Sequence, residues 1–169
     1  GDPEPELTVS FDGLVGSDVI SYEISREEGE TVDDDGYTIT VTGDADQGNY
    51  RVLFEPSVLI IEKRAITFTS ASASKEYDST PLIDKDVTIG GKGLAFDDTV
   101  TFNVTGTQTN EGYSKNTFTY ILDSADNYDV VTIEGTLTVT DVTGTVIIVA
   151  DSATKRYDGV PLTFGTSYT

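Results

Sequence analysis

One stretch of this sequence occurs twice, 80 positions apart. Residues 70–82 read SASASKEYDSTPL, and residues 150–162 read ADSATKRYDGVPL. When residues 66–82 are aligned with residues 146–162, seven of the 17 positions are identical. A repeat at a fixed spacing constrains the fold strongly, because each copy must be built as one structural unit.

Two weaker similarities between segments extend the repeat over the rest of the chain. Residues 48–61 match residues 126–139 with an offset of 78, and residues 13–25 match residues 93–105 with an offset of 80. The whole sequence therefore consists of repeats of about 80 residues.

The phase of this repeat predicts where the units begin and end. We expect residues 1–63 to form a unit that lacks its opening strand. Residues 64–143 are expected to form a complete unit, and residues 144–169 to be the opening strand of a third.

Apolar and polar residues alternate within each unit. Val100–Val104, Thr117–Leu122 and Gly36–Gly43 all show this period of two, with many β-branched and aromatic residues. Such segments are typical of half-buried strands, and no window shows helical spacing with caps. We predict an all-β fold of tandem small antiparallel β-sandwich modules, Ig-like in type. A β-grasp-like fold is the alternative, although it requires a helix.

The alternating positions also predict the core. In the first unit we expect it to contain Ile20, Tyr22, Ile24, Tyr37, Ile39, Val41, Tyr50, Val52 and Leu59. In the second unit we expect Val100, Phe102, Val104, Phe118, Tyr120, Tyr128, Val130, Leu137 and Val139.

Charge limits the partners that this chain can bind. Its 30 acidic and 10 basic residues give a net charge of −20. A field of that sign repels nucleic acid and anionic lipid, so we expect neither as a partner. The sequence also has no apolar run of about 20 residues, so we expect no membrane insertion of this segment.

The sequence contains neither Cys nor His. Disulfides and thiolate zinc sites are therefore excluded, and the commonest general base is missing. A glycosidase needs only two carboxylates, but it also needs a cleft that holds them in different environments. We expect no catalytic activity and no cofactor.

Several aspartates are candidate calcium ligands, by their spacing in one segment and by their clustering at a hairpin tip in another. They are Asp33, Asp34, Asp35, Asp44 and Asp46. In residues 44–55 the acids fall at positions 1, 3 and 12 of a calcium loop, but position 6, which requires Gly, is Asn49. We expect no metal site, with weak calcium binding at these aspartates as the alternative.

The repeated motif has the residue types of a turn. Its members are Lys75, Tyr77, Asp78 and Pro81 in one copy and Lys155, Tyr157, Asp158, Gly159 and Pro161 in the other. We expect the tyrosine to anchor the end of a strand in the core, the aspartate to cap the turn, and the proline to stop strand pairing. A ligand contact on the loop is the functional alternative.

These motifs resemble the YDG and MBG (mostly-beta, glycine-rich) repeats of bacterial surface proteins. The first motif is carried by Lys155, Tyr157, Asp158, Gly159, Pro161, Leu162 and Thr163. The remaining matches in the complete unit are Gly93, Leu94, Asp98, Thr109, Asn110, Gly112, Asn127, Tyr128, Gly135, Thr136, Leu137 and Val139. Residues 1–14 resemble the family variant that opens with Tyr-Gly-Asp-x-x-Pro. Ser79 stands where the motif has Gly, which argues against a need for positive φ at that position.

The resemblance implies an extracellular location, on the bacterial surface or secreted, in tandem with further repeats. It implies a structural spacer of an adhesin-like protein and no catalysis. The alternative is a module that binds a glycan or a host protein through loops at residues 26–35 or 106–116. The unpaired edge left in the first unit further predicts that residues 146–162 are donated as a strand to a neighbouring molecule.

Overall fold

The computed structural model describes residues 2–160, which form 13 β-strands and one short 3₁₀ helix. Residues 2–63, called the first unit below, contain β1 (Glu23–Arg26), β2 (Tyr37–Thr42), β3 (Asp46–Gln47), β4 (Tyr50–Arg51) and β5 (Ser57–Leu59). Residues 64–143, called the second unit, contain β6 (Arg64–Ser70), β7 (Ala73–Glu76), β8 (Val87–Gly91), β9 (Val100–Val104), β10 (Gly112–Lys115), β11 (Phe118–Leu122), the 3₁₀ turn Ala125–Asn127, β12 (Tyr128–Ile133) and β13 (Thr136–Thr140). The prediction of an all-β fold is confirmed.

The first unit is built around one small antiparallel sheet. β2 lies in its centre between β1 and β5, with Ile24 opposite Val41. β3 and β4 form a separate short hairpin. Among the apolar residues described in this unit, only Ile20 and Tyr37 are buried, each with 8% of its surface exposed, so its core is small.

The second unit is organised by two long bent strands that run side by side. β6 continues into β7 and β12 continues into β13, and the two lines pair in parallel. β8 adds to the free side of β6, and β10 adds to the free side of β13, both antiparallel.

The parallel pairing differs from a purely antiparallel sandwich. A parallel pair needs a long connection to bring the chain back to the same end, and residues 77–127 supply it. Alternation within a strand identifies its buried face but carries no information about the direction of its neighbour. The sequence pattern therefore could not predict this feature.

Aromatic rings join the two facing sheets of the second unit. Phe68 on β6 is completely buried and meets Phe102 and Tyr120 edge to face, with ring centroids 5.0 and 4.9 Å apart. Phe102 and Tyr120 lie opposite each other on β9 and β11. Such edge-to-face pairs add to the gain from apolar burial, so Phe68 is the centre of this core.

The predicted core is confirmed at its most buried positions and wrong at two. The buried members are Ile20, Tyr37, Val104, Tyr128, Leu137 and Val139. Tyr22 and Tyr120 remain 38% and 37% exposed. Tyr120 packs edge to face on Phe68, and Tyr22 packs edge to face on Phe11 with ring centroids 5.8 Å apart, but the rest of each ring stays exposed. The prediction also missed Ile66 and Phe68, which are 1% and 0% exposed.

Within residues 2–160 the turn Ala125–Asn127 is the only helical segment. The β-grasp alternative, which requires a helix, is therefore not supported over this range. No helix in the same range is long and apolar enough to cross a membrane.

Candidate functional site

A buried tyrosine fastens the start of β12 to the loop that precedes β9. The Tyr128 hydroxyl donates to Asp98 Oδ2 at 2.6 Å and accepts the backbone N–H of Ala95 at 2.8 Å. Burial raises the pKa of Tyr128, and the Asp98 carboxylate raises this pKa further. Both effects favour the neutral phenol that donates to a charged acceptor.

The same contact recurs in the first unit. The Tyr50 hydroxyl donates to Asp18 Oδ2 at 2.6 Å and accepts the backbone N–H of Val15 at 3.2 Å. The Asp18 carboxylate raises the pKa of Tyr50. Tyr50 and Asp18 precede Tyr128 and Asp98 by 78 and 80 positions, so the two units share this contact as they share their sequence.

The first copy of the repeated motif forms a turn closed by Lys75. Its Nζ donates to Asp78 Oδ1 at 2.6 Å and to the Thr80 carbonyl oxygen at 2.7 Å. The same Asp78 oxygen accepts the backbone N–H of Thr80 at 2.9 Å. The Lys75 ammonium, followed by the Thr80 hydroxyl and amide, holds the pKa of Asp78 well below its usual range.

The second copy forms the same turn outside any sheet. Lys155 Nζ lies 2.8 Å from Asp158 Oδ1 and donates to the Val160 carbonyl oxygen at 2.7 Å. The Val160 N–H donates to Asp158 Oδ1 at 3.0 Å, and the Lys155 ammonium lowers the pKa of Asp158. No strand includes residues 155–160, so the turn is held by its own contacts.

The turn requires a left-handed residue after the aspartate in both copies. Gly159 has φ 74°, and Ser79 has φ 67°. The expectation that serine removes the need for positive φ is therefore wrong. The Asp78 and Lys75 contacts hold Ser79 in a conformation that costs a non-glycine residue about 1 kcal/mol or more.

The motif tyrosines do not reach the core. Tyr77 is 39% exposed and Tyr157 is 99% exposed, so the predicted anchoring of the strand end by tyrosine is wrong for these residues. Pro81 is exposed and directly precedes the isolated bridge between Leu82 and Gln108. Pro161 lies outside the described residues.

A buried polar cluster stabilises the bend of the two long strands. Asn116 is 0% exposed, and its Nδ2 donates to the carbonyl oxygens of Ala71 and Asp84 at 2.9 and 3.0 Å. Ser70, 2% exposed, donates to the Asn116 carbonyl oxygen at 2.6 Å and accepts the Gly135 N–H at 2.9 Å. A Cβ at Gly135 would collide with the carbonyl oxygens of Ser70 and Ala71, so only glycine fits there.

This cluster holds amide, hydroxyl and backbone groups, so its chemistry is structural. Sequence reasoning missed it because Ser70 and Asn116 carry no apolar signal. Gly135, matched in the resemblance, was the one available hint.

The candidate calcium ligands are not brought together. At the tip of the first hairpin, Asp33 Oδ1 accepts the backbone N–H of Asp35 at 3.0 Å. Over residues 2–160, no group of three or more acidic side chains is placed to hold a metal ion. Calcium binding at Asp33, Asp34, Asp35, Asp44 or Asp46 is therefore not supported.

The loop at residues 26–35 is used to join the two units. The Val32 N–H donates to Asn127 Oδ1 at 2.8 Å, and Lys92 pairs with Asp2 at 2.7 Å. At the base of the loop, Arg26 forms ion pairs with Glu4 and Glu30. This loop was a predicted ligand-binding surface, and the structure places it at the junction.

A comparison with models of protein families gave a match in the first part of the chain. Residues 1–60 match the family model of the MBG domain, YGX type. The predicted resemblance is confirmed over these residues, including the variant inferred from residues 1–14. MBG domains occur as repeat modules of surface proteins. Comparisons with curated proteins and with solved structures gave no significant match.

Proposed function

We propose that this chain, which opens with an MBG domain at residues 1–60, is a structural spacer of an exported bacterial surface protein. Its two units project a distal binding region away from the cell and take part in adhesion through that geometry. The role is non-catalytic. The observation that carries the proposal is the junction, where the Val32 loop contacts Asn127 of the next unit.

A spacer must keep a fixed end-to-end length, and the contacts at the junction support this by restraining how the two units move relative to each other. The neutral hydrogen bond from Val32 to Asn127 fixes one point of contact, and the ion pair from Asp2 to Lys92 fixes a second. Two separated contacts restrain rotation between the units more than one contact does. The ion pair is exposed and is weakened by salt, so the hydrogen bond is the more durable of the two.

The test combines the orientation of the units with a ligand screen. Residual dipolar couplings of the full chain are expected to fit one common alignment for both units. In the variant Asn127→Ala with Lys92→Gln, the couplings should separate into two alignments. The matched control, Asn103→Ala with Lys115→Gln, alters the same residue types away from these contacts and should retain one alignment.

The same chain, applied in solution to arrays of glycans and matrix proteins, is expected to bind nothing above background. Independent tumbling of the two units in the unmodified chain would overturn the spacer proposal. Specific array binding that persists in the junction variant would also overturn it, because the chain would then be a binding module.

A further inference from the structure

An exposed phenylalanine lies in the tight turn that precedes β9. Phe96 is 90% exposed and has a φ of 44°, in the left-handed region. The Asp98 N–H closes the turn by donating to the Ala95 carbonyl oxygen at 3.1 Å. A bulky residue rarely adopts a positive φ, and exposure of a large apolar ring to water is unfavourable. Phe96 is therefore unfavourable at this position in two respects.

The first unit builds the same turn with glycine. Its Asp18 N–H donates to the Val15 carbonyl oxygen at 3.2 Å. Gly16, which precedes Phe96 by 80 positions, has a φ of 62°. Glycine adopts this conformation without steric strain. The turn can thus form without an aromatic ring, so the fold does not require phenylalanine at position 96.

The loop that carries Phe96 is fastened to the core of the second unit. Leu94 and Ala95 pack against this core, and the Ala95 N–H donates to the Tyr128 hydroxyl at 2.8 Å. The backbone that presents the exposed ring is therefore held in place. Aromatic side chains are enriched at protein interfaces, and a ring on a fixed support loses little conformational freedom when it binds. These features mark Phe96 as a contact residue for a partner.

A second strained loop adjoins this turn. Over residues 2–160, the non-glycine residues with positive φ are Ser79, Phe96 and Ser124. Ser124 lies in the loop between β11 and β12, and its Oγ donates to Asp98 Oδ1 at 3.0 Å. The two loops, residues 95–99 and 123–127, are called the Phe96 surface below. Strained backbone clusters at sites that contact ligands, so the position of Ser124 agrees with a contact role for this surface.

The charged residues of the Phe96 surface are all acidic. They are Asp97, Asp98, Asp123 and Asp126. Two basic residues at the base of the Phe96 loop are engaged elsewhere, since Arg64 donates to the Gly93 carbonyl oxygen at 2.8 Å and Lys92 pairs with Asp2. An aromatic ring among carboxylates fits a cation, because the face of the ring attracts positive charge. The net charge of −20 draws such a partner towards the chain over a longer distance.

We propose that the Phe96 surface binds a basic protein segment, with an arginine side chain over the ring of Phe96. Arginine fits this surface better than lysine, because its planar guanidinium stacks on a ring while its N–H groups donate to carboxylates such as that of Asp97. The inference does not rest on the spacer function, which depends on the contacts at the junction. A contact through one ring dissociates quickly, so washed arrays of matrix proteins are not expected to retain it.

The experiment titrates the full chain, labelled with ¹⁵N, with a peptide of alternating glycine and arginine at about 150 mM salt. The matched control peptide has citrulline in place of arginine, which keeps the size of the side chain and removes its charge. Amide chemical shifts locate the contact, and their dependence on peptide concentration measures the affinity. We expect saturable shifts that are largest at the Phe96 surface with the arginine peptide, and none with the citrulline peptide.

The variant Phe96→Gly separates the effect of the ring from that of the charge. It keeps the net charge and introduces the residue that the first unit has in this turn, so its melting temperature should be equal or higher. We expect its affinity for the arginine peptide to fall by a factor of about five or more. The control Tyr113→Ala removes a ring that is 80% exposed on β10, also without a change of charge, and should keep the affinity.

Equal affinities of Phe96→Gly and the unmodified chain would overturn the proposal, because the net charge alone would then attract the peptide. Equal binding of the citrulline peptide would overturn it as well. A third titration uses maltotetraose, a neutral sugar, since sugars also stack on exposed rings. Saturable shifts at the Phe96 surface with this sugar, and none with the arginine peptide, would assign the ring to a glycan and contradict a basic partner.

Discussion

The Tyr128 hydroxyl donates a hydrogen bond of 2.6 Å to the Asp98 carboxylate. Tyr50 makes the same contact with Asp18, at the same distance, in the other unit. In both units the tyrosine also accepts a backbone N–H from the loop that holds the aspartate. The two units are therefore alike in this hydrogen-bond network as well as in sequence, so we treat them as built on one plan.

Loss of the Tyr128 hydroxyl is expected to destabilise the second unit. Hydrogen bonds to charged groups contribute about 1.5–3 kcal/mol, and Tyr128 is buried, so Tyr128→Phe should cost about that much. Urea unfolding, followed by circular dichroism, measures the change in the free energy of unfolding. Tyr113→Phe removes a hydroxyl from a side chain that is 80% exposed and should change this free energy little. Equal effects of the two variants would contradict this role of Tyr128.

The second unit is also expected to lose stability at alkaline pH through Tyr128. Burial and Asp98 raise the pKa of this phenol in the folded state above its ordinary value of about 10. Its contribution is present in full below the unfolded pKa and is lost as the pH rises through the folded pKa. Absorbance titration of phenolate should show two late-titrating tyrosines, Tyr50 and Tyr128, of which one disappears in Tyr128→Phe. Titration of every tyrosine near the ordinary pKa would contradict the assignment.

The Asp78 carboxylate should titrate unusually low because Lys75 donates to it. The folded pKa lies below the unfolded value, so the turn is complete above the unfolded pKa and opens as the pH falls through the folded one. Carbon-detected NMR titration of the carboxyl groups measures this pKa. Lys75→Gln should raise the pKa of Asp78 and leave that of Asp158 low, and Lys155→Gln should have the reverse effect. An ordinary pKa for Asp78 in the unmodified chain would rule out the lysine contact.

Much of the fold could be predicted from the sequence. The core residues show which features could not be predicted. Alternation identified Leu137 and Val139 as buried because a period of two is a local property of a strand. The central place of Phe68 depends on which strands surround β6, and that is a long-range property. Tyr22 failed for a related reason. Its own alternation is correct, but it packs against Phe11 in a segment that forms no strand, and its side chain stays 38% exposed.

The contacts between residues were harder to predict than the strands. The repeat contained both members of the pair Tyr50 and Asp18, yet their separation of 32 residues gave no sign that they touch. The turn at Asp78 was predictable because all its contacts lie within a few residues. The bend at Asn116 was not, because its carbonyl partners are supplied by remote segments.

Asn116 is expected to be essential to the bend of the second unit. Asn116→Ala leaves the carbonyl oxygens of Ala71 and Asp84 without their donor in a buried site, which should cost about 1–3 kcal/mol. Asn103→Ala, at an exposed position on β9, is the control and should cost much less. Thermal unfolding of both variants provides the comparison. A melting temperature for Asn116→Ala equal to that of the control would show that the cluster is dispensable.

The central claim is that both units follow one plan, although residues 7–11 and 53–55 of the first unit form no strand where the equivalent residues of the second unit do. Residue-resolved amide hydrogen–deuterium exchange tests it most directly, in the full chain at a dilution where its mass is monomeric. The account predicts slow exchange in β8 and in residues 131–133 of β12, and fast exchange at the equivalent residues 7–11 and 53–55. Equal protection of the two sets of segments under these conditions would contradict it.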